Sequence, residues 1–292
     1  MKILITGKSG QLGRTLCDQL RTGHEVTATD RDELDISDEK AVNEFITTVG
    51  PEAIINAAAY TAVDLAETEA SDCWAVNAQG PVHLARAAAQ RGARLIHFST
   101  DYVFDGLAIT PYSEACNAAP LSTYGRSKLA GDQGVLSSGA AAIVLRTGWL
   151  YSGHGPSFVQ TILNKLMNGD SLRVVNDQWG TPTSAEFLSH VAHCLIPHLP
   201  PIGNPSGHLI NVSCGGSATW FDFASHCKFL ASKKRPSLNS VALHPISASE
   251  HGEAAQRPSN SCLSTSLLQE KYGITPPDWR EELDRVFLGI DL

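Results

Sequence analysis

The sequence predicts an α/β fold: a doubly wound parallel sheet with a smaller C-terminal α/β domain. Three observations predict it. The first sixteen residues read as a short apolar strand, a glycine-rich turn and an amphipathic helix. The short apolar runs that follow are apolar on both faces, as strands inside a parallel sheet must be. Helical stretches fall between those runs in the βαβ order that parallel pairing needs.

In the opening unit, Ile3-Leu4-Ile5 is the strand, and Gly7, Gly10 and Gly13 follow at three-residue intervals with Gln11 and Leu12 between them. Leu12, Leu16 and Leu20 then continue at helical spacing. The glycines serve a turn of unusual φ, room for a pyrophosphate against bare backbone, and close packing of helix on strand. The helix that begins here directs free N–H groups and the positive end of its dipole at phosphates. Gly7, Gly10, Gln11, Leu12 and Gly13 are therefore expected to cradle a dinucleotide, and the predicted sheet is Rossmann-like. The spacing is GxxGxxG rather than GxGxxG, which leans toward short-chain dehydrogenases and reductases.

Composition narrows the classes. A chain of 292 residues suggests one large α/β domain plus a smaller addition, at roughly 100 to 200 residues per domain. With 42% apolar and 18% charged residues, and no run near the ~20 apolar residues of a membrane span, a soluble protein with no membrane role is expected. The N-terminus opens on a strand rather than a secretory signal, so the expected location is cytoplasmic. Cys17, Cys73, Cys116, Cys194, Cys214, Cys227 and Cys262 form no CxxC pair and are odd in number, which reads as reduced thiols. No metal site is visible, and His154, between two glycines, reads as a loop residue. A net charge of −8 argues against a nucleic-acid partner and leaves anionic ligands to glycine turns and individual Arg or Lys side chains.

Along the chain, the second strand, about Glu25 to Asp30, ends in a carboxylate where an adenosine ribose should lie. Asp30 accepts hydrogen bonds from ribose hydroxyls and favours NAD, whereas Arg31 can pair with a 2′-phosphate, so use of both NADH and NADPH is expected. Asp35 and Ile36 are expected to flank the adenine. The strand Ala53-Ile54-Ile55 runs into Asn56 and then Ala57, Ala58 and Ala59, whose small side chains let the cofactor pass close to backbone. Asp64 to Ala89 is helical in character, with Asn77 and Gly80-Pro81 expected to break it into two helices. The strand Leu95 to Phe98 delivers Ser99, Thr100, Asp101 and Tyr102 to the carboxyl edge of the sheet, where ligands sit in open α/β folds.

Tyr124 and Lys128 follow a Ser122 or Thr123 helix cap and lie one turn apart, so they share a face. A phenol with a pKa of ~10 is a weak acid at neutral pH, and an adjacent ammonium is expected to lower it. Tyr124 can then protonate a carbonyl oxygen that the Thr100 hydroxyl helps to orient, while Lys128 also holds the nicotinamide ribose. An isolated Tyr-x-x-x-Lys is more often a solvated helix face. Here it stands behind a cofactor turn and a strand ending in Ser-Thr.

Beyond the strand Ile143 to Leu145, Trp149 offers a flat wall for a deoxysugar or a core-packing group. Phe158 to Asn168 and Ala185 to Pro197 read as helices, with Trp179 to Pro182 a turn between them, and Gly203 to Ser206 and Ser232 to Ser237 as surface loops. Residues 1–148 are expected to form the dinucleotide-binding domain and 149–292 mainly the substrate domain, with about 183–213 packing back on the first.

On these residues the chain resembles the extended short-chain dehydrogenase/reductase family, and within it the nucleotide-sugar 4-ketoreductases. The resemblance runs nearly end to end, through Gly7 to Gly13, Asn56 to Asp64, Ser99 to Gly106, Tyr124 to Lys128, Arg146 to Trp149, Asp177 to Thr183 and Arg257 to Ser261. It implies Thr100, Tyr124 and Lys128 as the catalytic trio. It also implies a sugar pocket lined by Thr61, Val63, Tyr102 and Trp149, with Arg257 and the segment around Gln178 facing the nucleotide diphosphate. The implied reaction is reduction, by NADPH or NADH, of the C4 keto group of dTDP-4-dehydro-L-rhamnose, or of another nucleotide 4-keto-deoxysugar. Dehydratases of similar fold carry an acidic residue directly after Thr-Asp, and here that place is Tyr102, so net reduction fits better. A dinucleotide-binding regulatory subunit, like methionine adenosyltransferase β, is the reading without catalysis, and the intact trio argues against it. Some reductases of this kind are dimers bridged by Mg²⁺ near the end of the glycine turn. Here Arg14 and Thr15 stand after Gly13 and are poor ligands for a hard dication, so a metal-independent monomer or weak homodimer is expected.

Overall fold

The computed structural model describes residues 1–201 and 207–291, so the expected loop at Gly203 to Ser206 lies outside the described residues. β1 (Lys2–Thr6) is followed by α1 (Gln11–Leu20) and pairs in parallel with both β2 (Glu25–Thr29) and β3 (Ala53–Asn56). After α2 (Glu39–Val49), α3 (Ala70–Trp74) and α4 (Gly80–Arg91) come β4 (Arg94–Thr100), α5 (Thr123–Ser137) and β5 (Ala141–Thr147). With β10 (His208–Asn211) at the far edge, the parallel sheet has the order β10-β5-β4-β3-β1-β2. Chain order reverses beside β1, which opens a crevice between the carboxyl ends of β1 and β3. The glycine turn and Ala57 to Ala59 both leave from there.

Alternation along β1 sorts the core into two layers. Ile3 and Ile5 pack with Leu12, Leu16 and Leu20 of α1, while Leu4 faces Val42, Ile46 and Leu84 from α2 and α4. Each such buried side chain contributes roughly 1.5–3 kcal/mol. Helices on both faces make the sheet doubly wound and Rossmann-like.

The smaller lobe is built from β6 (Leu150–Tyr151), α6 (Phe158–Asn168), β7 (Leu172–Val175) and β8 (Trp179–Gly180). β9 (Thr183–Ser184) pairs with β6, and α7 (Ala185–Leu195) then returns to pack on α1 before β10 joins the main sheet. β11 (Ala218–Thr219), α8 (Trp220–Lys234), β12 (Leu243–Ile246), α9 (Ala248–His251), α10 (Ser266–Tyr272) and α11 (Trp279–Leu288) complete it, with β12 paired in parallel to β7. Among the described residues, no helix is long and apolar enough to cross a membrane.

Three sequence expectations need correction. The helix expected to break at Asn77 and Gly80-Pro81 runs on from Ala70 to Arg91 through a π turn at Ala75–Gln79. Pro81 lacks the N–H for the ordinary ladder, and the widened turn absorbs the defect without ending the helix. Trp179-Gly180 is not a turn but β8, which pairs antiparallel with β11. Ser232 to Lys234, expected in a loop, form the last turn of α8, and Lys234 Nζ donates to the Phe287 and Ile290 carbonyls, which anchors it.

Candidate active site

The glycine turn is fixed by contacts that leave no room for side chains. Gly7 sits at φ 78°, a left-handed conformation that favours glycine, and donates its N–H to the Thr29 carbonyl at 2.8 Å. A Cβ on Gly13 would overlap the Gly7 carbonyl oxygen, which fixes how closely α1 lies on the turn. Gly10 caps α1 with no side chain, so the first-turn N–H groups face outward unclaimed by a side-chain cap. A cleft of about 320 Å³ is lined by Gly7, Gly10, Asp30, Arg31, Asp35, Ile36 and Ala57 to Ala59. Tyr60 and Val76 join it, and sequence reasoning missed both.

Asp30 accepts hydrogen bonds from the Ser9 N–H at 3.1 Å and from the Ser9 hydroxyl, so its carboxylate also braces the turn. Arg31 pairs with Asp35 at 3.1 Å, yet its side chain is 72% exposed and free to swing. The bare-backbone cradle, the uncapped helix start and the strand-end carboxylate fit a dinucleotide.

Behind this cleft lies a buried polar scaffold. Asn56 Oδ1 accepts from Thr6 Oγ1 at 2.7 Å and from the Ala58 N–H at 3.1 Å, which pins the alanine loop. Its amide also meets His97 Nδ1 at 3.0 Å, and burial holds His97 well below the usual imidazole range. Asn77, on the π turn, accepts from the Tyr60 N–H at 2.9 Å and donates to the Tyr60 carbonyl and to Ser127 Oγ. It thereby ties the cofactor loop to α5. The only trace of it in the sequence is the Gly80-Pro81 irregularity that marks the turn.

The chemistry-bearing residues meet in an adjoining cavity of about 420 Å³. Gln11, Leu12, Thr61, Val63, Thr100, Tyr102, Tyr124, Lys128 and Trp149 all line it, as do Arg14 and His154. The helix that carries the pair starts at the Ser122 cap, where Ser122 Oγ accepts from the Gly125 N–H at 3.1 Å. Glu67 accepts from the Thr123 N–H at 2.7 Å, and Gly125 has no space for a Cβ against the Tyr102 carbonyl. Those contacts set the height of Tyr124 over the end of β4.

Thr100 Oγ1 donates its one proton to Asp101 Oδ1 at 3.1 Å and accepts from the Tyr102 N–H at 3.1 Å. Tyr102 packs edge-on to Tyr124 with ring centroids 6.0 Å apart. Lys128 is buried and donates from Nζ to the Phe98 carbonyl at 2.6 Å.

Burial pulls Lys128 down to about 8, opposed by the Asp132 carboxylate. Burial also raises the Tyr124 pKa, with the Thr100 bond pulling the other way. The expected lowering of the phenol by Lys128 is not what this site gives: burial dominates, and the Asp101 and Asp132 carboxylates push the same way. Asp101, enclosed beneath Thr100, is pushed up to about 7 by the same cause.

A third cavity, about 410 Å³, shares Val63, Tyr102 and Trp220 with the second and is ringed by Lys165, Arg173, His251, Glu253 and Arg257. Arg257 donates to both Asp64 oxygens at 3.2 and 2.8 Å and pairs with Glu253 at 2.7 Å. Gln178 does not reach this cavity. It is 5% exposed and donates to Glu253 at 3.4 Å from behind. Trp149 adopts φ 50°, rests against the bare backbone of Gly180 and stacks on Trp220. A larger opening of about 930 Å³ around Leu107, Ile109 and Trp179 contains none of the predicted site residues. Among the described residues, no group of three or more His, Cys, Asp or Glu side chains is placed to hold a metal ion.

The chain matches the family described as RmlD substrate binding domain over residues 1–290. It belongs to that family. Among its relatives, dTDP-4-dehydrorhamnose reductase from Aggregatibacter actinomycetemcomitans is 38% identical, covering 98% of each chain. The protein of the same name from Sinorhizobium fredii is 37% identical, over 98% of this chain and 96% of its own. Two solved structures superpose with a TM-score of 0.90 and cover 98% of each chain. One is a dTDP-4-dehydrorhamnose reductase from Clostridium acetobutylicum at 38% identity, and the other is a Bacillus anthracis reductase in complex with NADP at 35%. A dTDP-glucose 4,6-dehydratase from Streptomyces venezuelae, at 19% identity and a TM-score of 0.80, shares the fold of this RmlD-family chain.

Proposed function

We propose that this chain reduces the C4 keto group of dTDP-4-dehydro-L-rhamnose to give dTDP-L-rhamnose, with NADPH or NADH as the reductant. The observation that carries the reading is the meeting of Thr100, Tyr124 and Lys128 in one cavity, flanked by a dinucleotide cradle and a cation-ringed cleft. The identity of the sugar draws on the relatives' names.

In this reading Gly7, Gly10, Gln11, Leu12 and Gly13 hold the pyrophosphate, Asp30 and Arg31 the adenosine ribose and its phosphate, and Asp35, Ile36 and Ala57 to Ala59 the adenine side. When bound, the reduced nicotinamide supplies hydride to the sugar's C4. Tyr124, kept protonated at neutral pH by its buried setting, delivers the proton to O4. The Thr100 hydroxyl steadies that oxygen, and the Lys128 charge one turn along α5 stabilises the phenolate left behind. Thr61, Val63, Tyr102 and Trp149 shape the sugar pocket. Arg257, with Lys165 and Arg173, takes the diphosphate once it exchanges Asp64 and Glu253 for phosphate oxygens.

Residues 1–148 serve the cofactor and 149–292 mainly the nucleotide sugar. The protein acts in a reducing cytoplasm, in keeping with seven free cysteines, as a metal-independent monomer or weak homodimer. The test is NADPH consumption with a panel of dTDP- and UDP-linked 4-keto sugars. Preference for the dTDP-6-deoxy substrate is expected. Turnover of a different 4-keto sugar alone would keep the mechanism and discard the substrate.

A further inference from the structure

We propose that Trp220 is a specificity-determining residue whose indole forms the partition between the sugar cavity and the cation-ringed cavity, contacting the ligand where the 6-deoxysugar joins the diphosphate. This rests on the nucleotide-sugar reading above. Among the described residues, only Val63, Tyr102 and Trp220 line both cavities, and of these Trp220 alone comes from the C-terminal lobe.

The indole is held on two sides. One face stacks on Trp149 with ring centroids 3.5 Å apart and planes 3° from parallel, and Phe158 leans on it at 4.7 Å. Its backbone is the first residue of α8, locked by a capping box in which Thr219 and Asp222 exchange hydrogen bonds of 2.9 and 3.0 Å. Trp149, by contrast, is only 8% exposed. With one face spent on Trp220 and an edge on Gly180, Trp149 works as a buttress, and Trp220 presents the remaining aromatic surface. The left-handed backbone of Trp149 fits this role, since a bulky residue there is strained and persists only where its surroundings impose it.

An indole at that junction suits a ligand with an apolar C–H face next to a polar diphosphate. Without it the two cavities merge, and the sugar ring is free to slide relative to Tyr124. The measurements are steady-state kinetics of Trp220→Ala and Trp220→Phe with the 4-keto substrate. Calorimetry with dTDP-L-rhamnose, dTDP and NADPH, and far-ultraviolet circular dichroism for the coupled signal of the stacked indoles, complete the set.

Trp220→Ala is expected to raise KM and the dTDP-L-rhamnose dissociation constant about tenfold. It should weaken dTDP less, leave NADPH affinity unchanged and abolish the coupled indole signal. Trp220→Phe should fall between alanine and wild type, and it carries the test if the alanine variant does not fold. Unchanged KM and dTDP-L-rhamnose affinity in either folded variant would overturn the proposal, as would an equal loss of NADPH affinity. If the wild type binds dTDP-L-rhamnose but turns over no 4-keto sugar, the functional reading fails and the binding comparison still decides the role of Trp220. A wild type that binds neither dTDP-L-rhamnose nor dTDP would overturn both.

Discussion

The two halves of the ligand cleft are made of different material. The dinucleotide half is backbone and small side chains, Gly7, Gly10, Gly13 and Ala57 to Ala59, braced from below by Asn56 and Asn77. Its shape is set by the fold before any ligand arrives. The nucleotide-sugar half is ringed by long charged side chains that neutralise one another, Arg257 against Asp64 and Glu253 above all. In the proposed reading a diphosphate displaces those carboxylates before it gains its own contacts. The contrast implies that substitutions in the first half act through shape, whereas those in the second act through charge and can be compensated.

The largest expected effect lies at the seam between the halves. Tyr124→Phe should lower kcat by about 10²–10⁴-fold while NADPH affinity stays near wild type, because the change removes a proton donor and no phosphate contact. A loss under about tenfold, with chemistry shown to limit turnover, would take the acid's role from Tyr124. Gly13→Ala comes next. Its methyl must push against the Gly7 carbonyl, an overpacking of about 1–3 kcal/mol, and NADPH affinity should fall while dTDP affinity holds. Equal losses for both ligands in calorimetry would break the contrast drawn above.

Arg31→Ala is a smaller change on the exposed rim of the first half. NADPH should lose about tenfold in affinity and NADH much less, since only NADPH carries the phosphate that Arg31 can meet. Parallel losses would show that Arg31 does not read it.

The last effect is read in stability rather than in activity or affinity, as a slope with pH. Burial lifts the Asp101 carboxyl from 3.8 to about 7, so between those values the folded chain holds a proton that the unfolded chain has released. Wild-type stability should therefore fall, relative to Asp101→Asn, as pH rises through that window. Urea midpoints that move in parallel for the two proteins would show that Asp101 is ionised when folded.

The same contrast explains what could be read from the sequence. Glycine spacing, a strand-end carboxylate and a Tyr-Lys pair one turn apart are local signals, tied to one turn or one helix face. They point to the glycine-turn cleft and to the residues around Tyr124, which the structure brings to one sheet edge. The sugar side brings Val63, Tyr102, Phe158, Trp220 and Arg257 together from five separate elements and loops, and no short pattern announces that meeting. Trp220 sits inside a Thr-x-x-Asp capping signature, which predicts a helix start but not the ring lying against it. Gln178 shows the opposite failure. It stands in a stretch that carries the family resemblance, yet burial behind Glu253 keeps it from the cavity. Sequence spacing around Tyr124 reports only the nearest charge, whereas desolvation depends on everything packed around the phenol.

The central claim is that Tyr124 and its neighbours present a C4 ketone for reduction beside the dinucleotide cradle. The most direct measurement supplies NADPH deuterated on the transferring face of nicotinamide C4, together with dTDP-6-deoxy-L-lyxo-4-hexulose, and reads the product by NMR. The account predicts dTDP-L-rhamnose with deuterium at sugar C4 and one NADPH consumed per product. Deuterium at any other carbon, or product formed without net NADPH oxidation, would contradict it.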